Sequence, residues 1–320
     1  MLTRTLGRSG IQVSAIGMGC WAIGGPFWKG EVPVGWSKVD DNESIRAIHR
    51  ALDLGVTFFD TANIYGCGHS ERVLGKALAG KRNQVVIATK FGQTFNEETK
   101  QGTGYDVTPE HIKQACDASL RRLNIGVIDL YQLHVKEVNA LQAKIVRDVL
   151  EDLVAAGKIR WYGWSTDEAP SARIFAEGKH CTAIQQRFNI LEGDEETLRV
   201  CEENNLASIL RSPLAMGLLT GKFDKATTFP GDDVRSQRYD FGGKNAGDIE
   251  RLAKIRGILT EDGRTLAQAA LGWLLARSPR MVPIPGFKTV AQVEDNAGVL
   301  RRGALSDAQM KAIAEILEEE

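Results

Sequence analysis

The sequence predicts a parallel β/α barrel of the TIM type, eight strands alternating with helices, with a β-hairpin at the N-terminus and extra helices at the C-terminus. Three observations carry that expectation. Eight short apolar runs recur along the 320 residues, each followed by a helical pattern or a loop. The runs do not alternate with polar residues; Val85-Val86-Ile87-Ala88-Thr89 is an example, and strands covered on both faces read this way. No linker or shift in composition divides the chain, so residues 1–320 are read as a single barrel domain. A doubly wound sheet is the structural alternative.

Taken in order, Leu6-Gly7-Arg8-Ser9-Gly10-Ile11 reads as a tight turn between two short strands. Val13 to Met18 is the first apolar strand, ending in Gly19-Cys20-Trp21, and residues 23 to 40 read as a long loop rich in Gly, Pro and Trp. Asp41 or Asn42 caps a helix over Ile45, Ile48, Ala51, Leu52 and Leu54, stopped by Gly55. Val56 to Phe59 run into Asp60, and a helix starts at Ser70 after the Gly66-x-Gly68 turn. Thr108-Pro109-Glu110 opens a helix with proline at its first position. Val127 to Leu133 is the next strand, and Leu141 to Ala156 a helix stopped by Gly157. Strands then cover Ile159 to Trp164, Thr182 to Ile184 and Leu206 to Leu210, separated by helices over Ala169 to Glu177 and Asp194 to Asn204. Residues 220 to 247 lack any period and read as a lid or binding loop. Helices over Gly247 to Leu259 and Thr265 to Ala276 lead to a last strand, Met281 to Ile284, and to closing helices over Val290 to Leu300 and Ser306 to Leu317.

Composition narrows the function. The formal net charge is −1 with both signs interspersed, which argues against a nucleic-acid-binding face. No apolar run approaches a membrane span, and Met1-Leu-Thr-Arg leads straight into turn residues, so neither membrane insertion nor a leader is expected. Five scattered cysteines without a C-x-x-C suggest a reducing cytoplasm and no disulfide framework, and no cluster has metal-ligand spacing.

In a barrel of this kind the C-terminal strand ends share one face, where active sites are built. Read in order they give Gly19-Cys20-Trp21, Asp60, Lys90, His134, Ser165-Thr166, Gln185, Arg211-Ser212 and Pro285-Gly286. Each ionisable group alone fits a solvated strand end. Three in consecutive strands, converging with Tyr65 on the loop after Asp60, suit proton chemistry. Lys90 would favour the Tyr65 phenolate and lower its pKa, Asp60 would keep Lys90 charged, and His134 would hold a carbonyl oxygen against the phenol. None of these side chains supplies a hydride, so a nicotinamide cofactor is implied. No Gly-x-Gly-x-x-Gly follows the first strand, so a Rossmann site is not supported.

These residues sit in segments that resemble the aldo-keto reductase family along nearly the whole chain. The segments are Gly55-Val-Thr-Phe-Phe-Asp60-Thr61-Ala62 with Tyr65-Gly66, Gly68, Ser70-Glu71 and Leu74-Gly75; Ala88-Thr89-Lys90; and Leu133-His134. Gly163-Trp-Ser165, Gln185 with Phe188-Asn189, Ser212-Pro213-Leu214 with Gly217-Leu218-Leu219-Thr220-Gly221-Lys222, and Ile284-Pro285-Gly286 with Asn296 complete the series. The resemblance implies a catalytic tetrad of Asp60, Tyr65, Lys90 and His134, and makes the N-terminal hairpin a plug for the barrel bottom. It implies cofactor contacts from Gly19, Cys20, Trp21 and Asp60, with Ser165, Thr166 and Gln185 at the nicotinamide carboxamide. Ser212, Pro213, Leu214, Gly217, Leu219, Gly221 and Lys222 would fold over the pyrophosphate. Gly286, Phe287, Lys288, Thr289, Gln292, Asp295 and Asn296 would hold the adenosine end. Substrate would meet Trp21, Trp28, Tyr65 and His134.

Three departures stand out. Thr166 replaces a common Asn, Val135-Lys136 replaces Trp-Pro after His134, and Arg211 stands where an aromatic ring usually stacks on the nicotinamide. The Arg211 charge would raise the potential of the bound cofactor or grip an anionic substrate. Lys288 and Thr289, at a helix start, suit the 2′-phosphate of NADP better than the ribose of NAD. The resulting expectation is a cytoplasmic NADP-dependent carbonyl reductase or alcohol dehydrogenase. The first loop and the Gly286-Phe-Lys-Thr end resemble the bacterial general-stress and polyol-oxidising branches, so short hydroxy-carbonyls or polyols are candidate substrates. The alternatives are a cofactor-binding sensor or regulatory subunit with slow turnover, and a barrel isomerase or aldolase using Lys90 as a Schiff base.

Overall fold

The computed structural model describes residues 1–136 and 138–318. Its barrel strands are β1 (Met18–Gly19), β2 (Phe58–Asp60), β3 (Val86–Phe91), β4 (Ile128–Leu133), β5 (Ile159–Ser165), β6 (Cys181–Asn189), β7 (Ala207–Arg211) and β8 (Met281–Pro283). Each pairs in parallel with its neighbours in sequence. The ring closes where the amides of Gly17 and Gly19 donate to the carbonyls of Pro283 (2.8 Å) and Pro285 (3.0 Å). A Cβ on Gly19 would lie 2.7 Å from the Ile284 carbonyl oxygen, so this seam needs a glycine.

Helices α1 (Asp41–Asp53), α2 (His69–Ala77), α3 (Pro109–Leu123), α4 (Ala140–Ala155), α5 (Ala169–Ala176) and α6 (Glu195–Glu203) each follow the strand of the same number. Helices α7 (Ala246–Thr260) and α8 (Leu266–Arg277) lie between β7 and β8, and α9 (Val290–Ala297), α10 (Val299–Arg302) and α11 (Asp307–Glu318) follow β8. Their starts are chemically specified. Thr108 caps α3 with Pro109 next to it, and Asn139–Gln142 and Thr265–Gln268 form capping boxes on α4 and α8. None of the described helices is long and apolar enough to cross a membrane.

Strand alternation divides the barrel interior into two layers. Phe58, Ala88, Leu130, Ala183, Ala207, Ile209, Val282 and Ile284 form an apolar lower layer. Two residues further along their strands stand Asp60, Lys90, Gln132, Gln185 and Arg211. Leu6 and Val13 of the N-terminal hairpin (Thr3–Thr5 with Gln12–Ser14) complete the lower layer, and Thr182 Oγ1 donates to the Leu6 carbonyl at 2.7 Å. The hairpin is therefore a plug, and the polar layer opens only at the other end.

Several boundaries differ from the sequence reading. Val13 belongs to the plug, and the barrel's first strand is only Met18–Gly19. Ser14 and Thr57 exchange hydrogen bonds (2.8 and 2.9 Å) that end the plug strand before the chain climbs. The cap of α1 is Asp40, whose carboxylate accepts from the amides of Asn42 and Glu43. Residues 23 to 40 are not all loop: Trp28–Lys29 and Val32–Pro33 pair, and join Gln93–Asn96 and Gln101–Tyr105 in a small sheet. Strands of two residues are too short to show a period. β6 runs on to Asn189 because Gln185, Gln186 and Arg187 stay paired with β7, and Phe188 and Asn189 pair with Gly193 and Glu192.

Candidate active site

Asp60, Lys90 and Gln132 occupy the polar layer of adjacent strands β2, β3 and β4, and all three are buried. Lys90 Nζ pairs with Asp60 Oδ1, donates to the Thr61 carbonyl at 2.8 Å and reaches the Tyr65 hydroxyl at 3.3 Å. The second Asp60 oxygen accepts amide N–H groups from Gln132 and Gln185, each at 2.9 Å. The carboxylate is thus saturated by one ammonium and two amides. Tyr65 is set by a run of turns after β2, in which the amides of Tyr65 and Gly68 donate to the carbonyls of Ala62 (3.2 Å) and Asn63 (2.7 Å). Gly66 follows at φ +58°, and a Cβ there would lie 1.9 Å from the Gly24 carbonyl oxygen, so this loop presses directly on the one after β1.

The Tyr65 ring meets His134 edge-on with centroids 5.9 Å apart, and Trp21 stacks on its other side at 6.0 Å. Trp36 meets Trp21 edge-on at 5.8 Å. Three buried nitrogens in these rings, His134 Nδ1 and the indole nitrogens of Trp21 and Trp36, have no hydrogen-bond partner among the described residues. A pocket of this kind suits a ligand rich in acceptor oxygens.

Burial raises the Tyr65 phenol above the ordinary tyrosine value, outweighing the opposite pull of Lys90. This reverses the sequence expectation, because desolvation of a phenolate cannot be counted from spacing. Burial would lower Lys90, but Asp60 and Tyr65 outweigh it and hold the ammonium above the usual lysine value. Burial and the charges of Lys90, Arg211, Lys29 and Lys136 hold His134 well below the usual histidine value. At neutral pH the site therefore presents a neutral imidazole, a protonated phenol and an ammonium behind it.

Beside this centre the loops after β7, β8 and β1 meet. Ser212, Ala215 and Met216 adopt positive φ (54°, 45° and 52°) in the turns after β7, a strained path of the kind found at ligand sites. In the loop after β8, Lys288 Nζ donates to the Ser37 carbonyl at 3.1 Å and lies 5.6 Å from the Trp36 ring centroid. Asp233, fully buried, pairs with Arg235 and accepts from the Ser37 hydroxyl at 3.3 Å. Arg235 is sandwiched between Trp36 and Phe229, 4.6 and 4.4 Å from the ring centroids. Lys222, Arg235 and Lys288 act on one another electrostatically, a cationic group fitted to phosphates.

The match to known proteins agrees with this geometry: the model of the aldo/keto reductase family matches residues 15–318. The chain belongs to that family. It is 34% identical to the aldo-keto reductase YakC [NADP(+)] of Schizosaccharomyces pombe, over 98% of this chain and 90% of the relative. It is 32% identical to the aldo-keto reductase YhdN of Bacillus subtilis, over 91% and 86%. Among solved structures, the glycerol dehydrogenase of Gluconobacter oxydans superposes with a TM-score of 0.86 at 31% identity, over 99% of this chain and 95% of that one.

The other residues expected at the cofactor of this aldo-keto reductase lie in the barrel seam, in the core and in the turns around the mouth. Gly19 and Gly286 form the barrel seam, bridged to each other. Cys20 is fully buried, its amide on the Asp60 carbonyl at 2.8 Å. Leu219 and Phe287 are core residues, and Leu214 is buried with them. Pro213, Gly217 and Gly221 shape the turns after β7. Ser165 and Thr166 lie at the mouth end of β5, where the Thr166 hydroxyl accepts from the Glu168 amide at 3.1 Å. Thr289 caps α9, Gln292 accepts from the Lys288 amide at 2.7 Å, and Asn296 is buried beneath Gly286. Asp295 turns to α8, accepting from Thr265 at 2.7 Å and Gln268 at 3.1 Å. Trp28 lines a separate open cavity of about 760 Å³ with Lys38, Asp41, His69 and Lys100. The sequence reading missed Gln132, Trp36, Asp233 and Arg235. Gln132 had a signal: a lone amide at an inward position of an apolar strand, two residues before His134.

Proposed function

We propose that this aldo-keto reductase interconverts short hydroxy-aldehydes or ketones and their alcohols, polyols included, with NADP(H). The observation that carries the reading is the buried chain from Asp60 through Lys90 to the Tyr65 hydroxyl, ending beside His134. When bound, the nicotinamide supplies the hydride that no side chain here carries. Tyr65 donates its proton to the carbonyl oxygen as negative charge develops there, and the Lys90 ammonium stabilises the phenolate left behind. Asp60, held by Gln132 and Gln185, keeps Lys90 charged. The neutral His134 donates to the same oxygen and orients it. In oxidation the phenolate takes the alcohol proton back.

The cofactor choice is supported by the cations Lys222, Arg235 and Lys288 in the loops after β7 and β8 and by the NADP(+) in the name of the S. pombe relative. The substrate class is supported by the likeness to a glycerol dehydrogenase and by the buried donors of Trp21, Trp36 and His134. The test is a panel of aldehydes and polyols with both nicotinamide cofactors, run on wild type and Tyr65→Phe. The variant should lose turnover in both directions while binding NADP(H) normally. Retention of more than a small fraction of wild-type turnover would remove Tyr65 as the proton donor.

A further inference from the structure

The carboxylate of Asp167, two residues past Ser165, has no part in the mechanism above, yet groups from three other β/α units meet on it. It pairs with the Arg211 guanidinium at the end of β7 and takes Lys136 Nζ, from the loop after β4, at 3.2 Å. Its Oδ1 accepts the backbone N–H of Arg187 on β6 at 2.7 Å. Arg187 and Arg211 are direct partners in the β6–β7 register, so a second guanidinium stands beside the first. Arg211 is only 22% exposed and remains a cation throughout the working pH range. Its charge is felt at both Tyr65 and His134.

We propose that Asp167 is a positioning residue which, through its hold on Arg211, sets how strongly the site distinguishes oxidised from reduced nicotinamide. The inference rests on the hydride-transfer reading. A ring that exchanges hydride with a carbon held by Tyr65 and His134 lies in the field that those two residues feel. The oxidised ring carries a positive charge and the reduced ring does not. A fixed guanidinium therefore opposes the oxidised form, and Asp167 tempers that opposition. Tighter binding of the reduced form raises the potential of the bound couple, which favours alcohol oxidation on the enzyme.

The experiment measures dissociation constants for NADP+ and NADPH by tryptophan-fluorescence titration of wild type, Arg211→Met, Asp167→Asn and the double variant. Arg211→Met should lower the ratio Kd(NADP+)/Kd(NADPH) on the order of three- to tenfold, as expected of a partly compensated charge several ångströms away. Asp167→Asn, which keeps an acceptor for the Arg187 amide, should raise the ratio, and should raise it less once Arg211 is gone. Arg211→Lys should retain the wild-type ratio. If Asp167→Asn does not fold, Asp167→Ser serves, which also removes the charge and keeps an acceptor for the Arg187 amide, with the same rise in the ratio expected. Equal weakening of both forms in the single variants would overturn the inference, leaving Arg211 and Asp167 as structural supports. A shift in the same direction for Arg211→Met and Asp167→Asn would overturn it as well. Failure of the wild type to bind either cofactor would instead overturn the hydride reading beneath it.

Discussion

Replacing Lys90 by Met is the sharpest probe of the centre, because stability and activity should fail together and for one reason. The ammonium is fully buried and makes three polar contacts, to Asp60, to the Thr61 carbonyl and to the Tyr65 hydroxyl. Methionine fills a similar volume but donates nothing. Asp60 would be left with only the amides of Gln132 and Gln185, a charged group 2% exposed without a cation. Breaking one side of a buried pair costs ~3–5 kcal/mol. That is a large part of a typical ~5–15 kcal/mol stability, yet less than most of that range, so the variant should fold at reduced stability. Asp60→Asn in the same chain removes the stranded charge and should recover part of the loss. Urea denaturation of the two single variants and the double variant measures this, with turnover recorded alongside. A Lys90→Met protein within about 1 kcal/mol of wild type and still active would refute both the buried pair and the relay.

Other consequences follow from the same geometry. His134 is held well below the usual 6.5, so below that pH the unfolded chain binds more protons than the folded one. Stability should therefore fall as the pH drops under ~6.5, by at most about 1.4 kcal/mol per pH unit from this group, and His134→Gln should flatten that limb in denaturation midpoints measured against pH. Lys288→Met should weaken NADP on the order of tenfold or more, the worth of one charge-assisted contact of ~1.5–3 kcal/mol, and leave NAD binding unchanged; equal weakening of both cofactors would exclude Lys288 from the 2′-phosphate. Gln132→Leu should cost ~1–3 kcal/mol of stability by taking one donor from buried Asp60, and a variant as stable as wild type would mean that water replaces the amide.

The barrel and the residues at its centre were legible because each ionisable group ends an apolar run. Asp60, Lys90 and His134 break the strand pattern at the point where the chain leaves the sheet, and strand ends of a parallel barrel converge whatever the loops do. What was illegible depends on distances that spacing does not encode. The partner of Arg211 lies 44 positions away, and nothing in Ser165-Thr166-Asp167 marks the last residue as the meeting point of groups from three other β/α units. The cations of the loops after β7 and β8 were half visible: Lys222 and Lys288 follow turn signals, whereas Arg235 lies in an aperiodic stretch and matters through Trp36 and Phe229. The direction of the Tyr65 shift was misjudged because a charge near a phenol is visible in sequence and the depth of its burial is not. The two-residue β1 escaped because its apolar run is shared with the plug, and a run carries no mark of where one role ends.

The two sides of the mouth share a construction that bears on how such a site binds anions. On one side Asp233 fixes Arg235, accepts from Ser37 and draws Lys288. On the other Asp167 fixes Arg211 and attracts the exposed Lys136. In each case one carboxylate organises more positive charge than it neutralises. Long cationic side chains otherwise lose rotamer freedom when a ligand arrives, a cost of up to ~2 kcal/mol each. Cations already held by a carboxylate have lost that freedom on folding, and the surplus charge remains available in a fixed place. Removing either carboxylate should therefore harm binding even though it makes the mouth more positive, and at Asp167 most of all for a ligand form whose own positive charge Arg211 opposes. If these cations hold NADP(H) as proposed, affinity for phosphates and discrimination between cofactor states draw on the same device, one carboxylate placed among several cations.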